Sequence, residues 1–387
     1  MKFIKAGLVL LCVIGLFVVG FSVSAVEAAP PIRIGQIVAI TGAHAAYGQA
    51  ERDAVEMAVA EINAAGGVLG RQIELIVYDN RTRPEDTVNA VRRLVEDDRV
   101  SAIIGPNGSG MHIAAAPIIA SARIPQIGTL PTNPRVTVDE DGNTRPFNFR
   151  ICFIDPYQGA VIAYFAAKKL GRLNAAILYD VSSEYSEGLR EFFVQRYRQY
   201  GGTILADEGY RGGDVDFRAQ LTNIANSGAE VLILPNLGHD MALIMKQARE
   251  LGMSDIIFIG GDAYGEFMWD IAGEALEGSF WVSHVAPDDE ALAPFFENFR
   301  NRFGRECSEF MNGVLAYDVV YWLADAITRA GSDDPEAIRD ALASTRDLQL
   351  LHATITMDEQ HNPKDKDAVI LIATGGMGRF YTRVSPD

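Results

Sequence analysis

Short apolar runs alternate with stretches of helical periodicity along the chain from residue 32 onward. Apolar side chains recur three and four positions apart after the first run and stop at Gly66-Gly67, which predicts an amphipathic helix. Thr82 and Glu85 have the spacing of a capping box and predict the start of another helix, which runs through about Glu96. A third helix is predicted from Met111. The strands predicted in this part of the chain are 32–38, 73–77, 100–104 and 124–127.

The same alternation restarts after Ile151, beyond the irregular segment 131–146. Strands that alternate with helices of this length form parallel sheets covered on both faces. We therefore predict an α/β fold with two similar lobes, each built on a doubly wound parallel sheet. The predicted helices of the second series are 159–170, 187–200, 217–226 and 240–251, and its strands are 175–179, 203–205, 231–234 and 256–259.

The C-terminal third has too few strand-like residues for a third sheet. It carries three helical stretches, 291–303, 312–330 and 334–344, and one later apolar run at 368–373. We expect this part to add to both earlier lobes, which requires the chain to cross between them more than once.

Residues 1–28 have the layout of an export signal. Lys2 and Lys5 precede an apolar core over residues 8–19, and small residues follow it at a cleavage site. The residue before Cys12 is leucine, whereas a lipoprotein signal needs a small residue there. We expect signal cleavage, export to the periplasm and a soluble mature protein without a lipid anchor.

The chain is acidic, with a formal net charge of −17. This charge argues against binding to nucleic acid or to anionic membrane surfaces, and it means that an anionic ligand must be held by local dipoles. Only Cys152 and Cys307 lie beyond the signal, so a hydrophobic core rather than a disulfide scaffold must hold the fold. The sequence leaves open whether these two cysteines pair.

The segment 100–112 combines an apolar run, a glycine-rich loop and the start of a helix. The run ends at Gly105, and Ser109 supplies a hydroxyl group where the helix begins. Unpaired N–H groups and the positive helix end make such a loop a seat for an anion. No Lys or Arg lies in the segment and the P-loop spacing is missing, so a small carboxylate fits better than a polyphosphate. A purely structural turn is the alternative.

The sequence carries no recognisable catalytic motif. Residue 107 is asparagine, so Ser109 is not part of a G-x-S-x-G elbow, and H-E-x-x-H, a cysteine–histidine cluster and a strand-linked G-x-G-x-x-G are missing. The 6 histidines show no ligand spacing, and we assign His44 and His112 no role in a site. We predict that the protein is not an enzyme and that it holds neither a metal nor a cofactor.

A series of short motifs follows in a specific order and spacing. These are Ile34-Gly-Gln-Ile, Thr41-Gly, Ala46-Tyr-Gly48, Ala60-Glu-Ile-Asn-Ala-Ala-Gly-Gly67, Gly70-Arg, Tyr78-Asp79, Ala102-Ile-Ile-Gly105, Ile124-Pro, Thr132-Asn-Pro134, Tyr185-Ser-Glu-Gly188 and Ile259-Gly-Gly-Asp262. Through them the chain resembles the exported type I solute-binding proteins of ABC transporters, in the leucine/isoleucine/valine-binding branch. The resemblance covers nearly all of residues 32–380.

The resemblance implies two lobes that are joined by a three-segment hinge and close on a ligand in the cleft. The N-terminal lobe would comprise residues 29–150 plus 284–354, and the C-terminal lobe residues 151–283 plus 355–387. The three crossings would lie near residues 150–153, 281–284 and 354–358.

The resemblance also implies a site for the backbone of an amino acid. Ser109 would meet the α-carboxylate, and Thr132 would contact both the carboxylate and the ammonium group. Leu130 would offer its backbone carbonyl to the ammonium group, and Asp262 would pair with that group from the second lobe. A zwitterion would thus bridge the cleft and favour the closed form.

The walls of the implied side-chain pocket are mostly apolar. Tyr47 and Tyr185 would lie on opposite sides of the cleft. Leu237 occupies a loop on which branched-chain binders can place a tyrosine, and one extra residue separates Asp180 from Tyr185. Leucine, isoleucine or valine is therefore the leading expectation, with a larger hydrophobic or aromatic amino acid, or a carboxylate such as a small aromatic acid, as alternatives.

The expected role is delivery of the ligand to ABC permease subunits by a monomeric binding protein. The same fold also serves in receptors and regulators, so a ligand-sensing partner of a membrane receptor is the second interpretation. No DNA-binding or signalling segment accompanies the fold in this sequence.

Overall fold

The computed structural model describes residues 29–364 and 367–386. The predicted signal, residues 1–28, lies outside the described residues. Within the described ranges no helix is both long enough and apolar enough to cross a membrane. The strands form two large sheets and one small two-stranded sheet.

The first sheet has five parallel strands in the order β2-β1-β3-β4-β5. Four of them confirm the predicted strands, whereas the last was not predicted. Ile34, in the middle of the sheet, lies between Leu75 and Ala102 of the neighbouring strands. The strands are β1 (Ile32–Val38), β2 (Ile73–Asp79), β3 (Ala102–Ile104), β4 (Gln126–Gly128) and β5 (Asn148–Arg150).

Three helices connect the strands of this sheet: α1 (Ala45–Ala64), α2 (Pro84–Glu96) and α3 (Ser109–Ala122). The predicted capping box is wrong, because α2 begins at Pro84 and its N-cap residue, Arg83, makes no side-chain cap. Proline suits the first helical position because its missing N–H would have no partner there. Thr82 has a φ of 61°, and its hydroxyl oxygen accepts the backbone N–H of His44 instead.

The second sheet has seven strands, and four of its five parallel strands confirm the predicted ones, whereas the fifth, over residues 280–283, was not predicted. Its last two strands run antiparallel at one edge, so the sheet is mixed rather than purely parallel. The strands of the remaining chain are β6 (Asn174–Asp180), β7 (Thr203–Tyr210), β8 (Val231–Leu234), β9 (Ile257–Gly260), β10 (Phe280–Ser283), β11 (Leu348–Gln349), β12 (Thr354–Ile355), β13 (Ala368–Thr374) and β14 (Met377–Val384). The sheet order is β14-β13-β10-β9-β8-β6-β7, and β11 pairs with β12 separately.

The C-terminal third packs a helix beside the first sheet and extends the second sheet. One long helix, Phe310–Ala330, packs along α1 beside the first sheet, while β13 extends the second sheet. The helices after β5 are α4 (Asp155–Tyr164), α5 (Glu184–Gln199), α6 (Arg218–Ser227), α7 (Gly238–Glu250), α8 (Met268–Ala272), α9 (Ala293–Phe303), α10 (Phe310–Ala330) and α11 (Pro335–Ala343).

Buried aromatic side chains join α10 to the first sheet. Trp322 is fully buried, packs edge-on against Phe149 of β5, and donates its indole N–H to Thr345 at 2.9 Å. Cys152 and Cys307 are both buried, and within residues 29–364 and 367–386 no disulfide bond joins them. The hydrophobic core therefore holds the fold, as the cysteine count predicted.

Candidate functional site

A cavity of about 210 Å³ lies between segments that follow strands of both sheets. Ligands of parallel sheets bind beyond the carboxyl ends of the strands, and this cavity has that position. Ser109 comes from the first sheet's side and Asp262 from the second, and both line it. Six of the seven residues predicted for the site line the cavity: Tyr47, Ser109, Leu130, Tyr185, Leu237 and Asp262.

Helix α3 begins at the cavity wall. Ser109, Gly110 and Met111 all line the cavity, and the first N–H groups of a helix have no partner within it. The Ser109 hydroxyl oxygen accepts the backbone N–H of Asn133 at 3.2 Å, which leaves the hydroxyl hydrogen to donate to a ligand. No lysine or arginine is among the described lining residues. The dipoles of the first N–H groups of α3 therefore supply the positive potential at this wall.

The opposite wall presents the carboxylate of Asp262, which is 4% exposed. Tyr185 donates its hydroxyl group to one carboxylate oxygen at 3.0 Å, and His284 Nε2 lies 3.3 Å from the other. The ring of His284 stacks on Phe153 with centroids 3.7 Å apart. Burial raises the pKa of Tyr185 well above its usual value, so the phenol remains a donor. The contacts with Tyr185 and His284 thus fix the orientation of the Asp262 carboxylate.

Tyr47 of α1 joins the two sides of the cavity. Its hydroxyl group donates to the backbone carbonyl of Ala263 at 2.5 Å and accepts the backbone N–H of Gly238 at 3.0 Å. Asn133 makes a second direct connection, since its side-chain amide donates to the carbonyl of Glu184 at 2.7 Å. Segments on the two sheets are therefore hydrogen-bonded to each other across the cavity.

Thr132 does not line the cavity. It is fully buried behind the wall, where its backbone carbonyl accepts the N–H of Asp155 at 2.9 Å. The pKa of Asp155 is raised to about 8, because burial and the nearby charge of Asp262 outweigh the opposite effects of Thr132 and Arg150. In this structure, Thr132 is hydrogen-bonded to Asp155 and is not among the residues that line the cavity.

Seven further polar residues line the cavity and were not predicted for the site: His44, Thr82, Asn107, Ser182, Ser183, Glu184 and Asn312. His44 is 5% exposed, its Nδ1 has no hydrogen-bond partner among the described residues, and burial lowers its pKa to about 4. Its position one helical turn before Tyr47 was a usable signal. Asn312 is the third residue of α10, far along the chain from the other residues of the site, and nothing next to it in the sequence marks it.

Glu51 lies beneath this polar part of the wall and is 1% exposed. One of its carboxylate oxygens accepts three hydrogen bonds, from Asn107 Nδ2 at 2.5 Å, Thr129 Oγ1 at 2.9 Å and Asn312 Nδ2 at 3.2 Å. Burial raises the pKa of Glu51 to about 7, against the effect of the three donors. Glu51 thus ties together side chains from α10 and from the loops that follow β3 and β4.

Comparison with known proteins gives consistent results. The sequence model of a family described as periplasmic binding protein matches residues 31–376. A Leu/Ile/Val-binding protein homolog of Brucella abortus is 30% identical over 336 residues, which cover 86% of this chain and 87% of that protein.

Two solved structures are also similar. A leucine-binding protein, LivK, of Thermotoga maritima is 32% identical with a TM-score of 0.85, covering 92% of this chain and 99% of that one. The second is the branched-chain amino acid transporter substrate-binding protein LivJ of Streptococcus pneumoniae in complex with isoleucine. It is 30% identical with a TM-score of 0.83, and the match covers 91% of this chain and 99% of that one.

Proposed function

Because the chain belongs to the periplasmic binding protein family, we propose that it captures a small α-amino acid of branched-chain size in this cavity. It then delivers the amino acid to the permease subunits of an ABC transporter. The observation that carries the proposal is that Ser109, at the start of α3, and Asp262, on the opposite wall, line one cavity.

The two ends of a zwitterion match these two walls. The α-carboxylate is positioned to accept from the Ser109 hydroxyl group and the first N–H groups of α3, while the ammonium group donates to Asp262. Hydrogen bonds to charged groups contribute about 1.5–3 kcal/mol each, so a few of them offset the ordering cost of a small ligand. The cavity of about 210 Å³ also exceeds the roughly 150 Å³ that holds benzene in an engineered apolar cavity.

Closure of two lobes follows from the position of the donors and the acid. The lobes are residues 29–150 plus 284–354 and residues 151–283 plus 355–387, joined near 150–153, 281–284 and 354–358. A ligand held by both lobes has more contacts in the closed form than in the open form, and this difference shifts the population toward closure. The permease recognises the closed form, and no catalytic step, metal or cofactor takes part.

The names of similar proteins support an amino-acid ligand. They describe Leu/Ile/Val-binding, leucine-binding and branched-chain amino acid-binding proteins, one of them in complex with isoleucine. Leucine, isoleucine and valine are therefore the first ligands to test.

A thermal-shift screen of the purified protein tests the proposal. The panel contains the common amino acids together with benzoate and 3-methylbutanoate, which lack an amino group. A ligand at 100 times its dissociation constant adds about 2.7 kcal/mol to the free energy of unfolding. We expect shifts with branched amino acids and none with the carboxylates. Equal shifts with 3-methylbutanoate and with valine, which is the same acid with an α-amino group, would show that Asp262 does not pair with an ammonium group.

A further inference from the structure

One part of the cavity wall is more polar than the amino-acid backbone requires. The α-carboxylate is accounted for by Ser109 and the ammonium group by Asp262, yet His44, Asn107 and Asn312 also line the cavity. Polar groups that are buried without partners cost free energy, so their presence in a small binding pocket calls for a ligand group that they contact.

Glu51 fixes the direction of the two amides. Asn107 and Asn312 both donate their side-chain nitrogen to the same Glu51 oxygen, at 2.5 and 3.2 Å, so the two side chains are neighbours. With the nitrogen directed at Glu51, the carbonyl oxygen of each amide points away from it. Neither oxygen accepts a hydrogen bond from the described residues. Two acceptors are therefore left for a ligand.

His44 lies against the same region. A Cβ atom built on Gly108, the residue after Asn107, would lie 3.1 Å from Cε1 and 3.6 Å from Nδ1 of His44. The Nδ1 atom is buried and has no partner in the described part of the chain. Because burial lowers the pKa of this ring to about 4, the imidazole is neutral at pH 7 and has one nitrogen that accepts.

We propose that His44, Asn107 and Asn312 form a subsite for a hydrogen-bond donor on the ligand's side chain, a hydroxyl or a carboxamide group. This inference rests on the proposed function, which supplies the amino-acid backbone that positions the side chain. The pocket then prefers a branched polar side chain to the aliphatic side chain of the same shape. Acceptors and a buried Glu51 carboxyl group also disfavour a ligand side chain that carries a carboxylate.

Pairs of amino acids with nearly the same shape test the subsite without any substitution. Threonine and valine differ by a hydroxyl group in place of a methyl group, and asparagine and leucine differ by a carboxamide in place of an isopropyl group. A site whose acceptors are left unpaired discriminates against the analogue that lacks the donor. By titration calorimetry on the purified protein, we expect the polar member of at least one pair to bind at least about fivefold tighter. Smaller ratios in both pairs would overturn the subsite.

The variant Asn312→Leu removes one acceptor while it nearly conserves side-chain shape. We expect it to lower the ratio of polar-ligand affinity to aliphatic-ligand affinity by about fivefold. Asn223→Leu, on the exposed face of α6, is the matched control and leaves the ratio unchanged. If a folded Asn312→Leu variant keeps the same ratio of polar-ligand to aliphatic-ligand affinity, Asn312 is not part of the subsite. If the variant does not fold, the comparison of ligand pairs in the unaltered protein decides the question.

The two proposals fail in different ways. If leucine and valine bind more tightly than asparagine and threonine, the subsite is wrong and amino-acid capture stands. If no common amino acid binds, amino-acid capture is wrong and the subsite falls with it.

Discussion

Tyr47 donates a hydrogen bond to the backbone carbonyl of Ala263 from the opposite side of the cavity, with 2.5 Å between the two oxygen atoms. The same hydroxyl group accepts the N–H of Gly238 at the start of α7. The phenol ring also packs edge-on against Phe267, with centroids 5.3 Å apart. One side chain from the first sheet's side is therefore bonded to the segments that follow β8 and β9. We interpret it as a latch of the closed form.

Tyr47→Phe removes the latch hydroxyl group and keeps the ring. We expect ligand affinity to fall by about tenfold, because the closed form loses two hydrogen bonds of about 0.5–1.5 kcal/mol each. The ligand-free protein should keep its melting temperature if opening leaves the cores intact. Titration calorimetry measures the affinity, and Tyr381→Phe, which alters an exposed tyrosine, is the control. Equal affinity in Tyr47→Phe and the unaltered protein would contradict the latch.

Gly238→Ala tests the same contact from the other side. A Cβ atom there would lie 2.6 Å from the Tyr47 hydroxyl oxygen and 2.8 Å from Phe267. Alanine is otherwise favoured over glycine in a helix, so α7 itself should tolerate it. We expect weaker binding and a more extended ligand-bound protein in small-angle X-ray scattering. A compact bound form with unchanged affinity would show that Tyr47 and Phe267 can move aside without loss of binding free energy.

Asp262→Asn removes the charge opposite the start of α3 and nearly keeps the shape of the side chain. We expect at least a hundredfold loss of amino-acid affinity, since a hydrogen bond to a charged group contributes about 1.5–3 kcal/mol and the ammonium group also loses its counter-charge. Asp270→Asn, at an exposed position of α8, should bind normally. If Asp262→Asn keeps its amino-acid affinity, Asp262 does not pair with the ammonium group of the ligand.

The raised pKa of Glu51 predicts a dependence of stability on pH. A carboxyl group whose pKa rises from its ordinary value of 4.5 to about 7 on folding binds more protons in the folded state between these values. Stability therefore falls as pH rises through this window. In Glu51→Gln this contribution disappears, which reduces the loss of unfolding free energy between pH 5 and pH 8 by up to about 3 kcal/mol.

Urea unfolding of both proteins at pH 5 and pH 8 measures this difference, because the other titrating groups are shared. Glu191→Gln, at an exposed position of α5, serves as control and should keep the full dependence. The same pH dependence in Glu51→Gln and the unaltered protein would show that this carboxyl group does not titrate in the window.

Strongly patterned elements and the ends of parallel strands could be predicted from the sequence. Ser109 and Asp262 directly follow apolar runs, and residues in such positions converge at the edge of a sheet. In contrast, β14 has a mostly exposed burial pattern at a sheet edge, so it lacks the apolar run on which strand prediction depends. The α2 capping box failed because its threonine hydroxyl binds the neighbouring loop at His44 instead.

The polar part of the cavity depends on contacts that local sequence does not encode. Asn312 reaches the site only because α10 packs along α1, which brings it to Glu51. The sequence pattern does not distinguish Glu51 from an ordinary polar residue of an amphipathic helix. Only the fold shows that it is buried. His44 could have been included from its spacing to Tyr47, whereas its unpartnered nitrogen is a property of the folded state.

The packing of α10 against α1 also constrains the order in which the polypeptide can fold as it is synthesised. Helix α1 has many buried residues, and it packs along a helix that ends only at Ala330. A growing chain that has not yet reached this helix leaves the packed face of α1 uncovered, and closing so long a loop is slow. Fragments that stop before residue 310 should therefore aggregate rather than yield a stable first half.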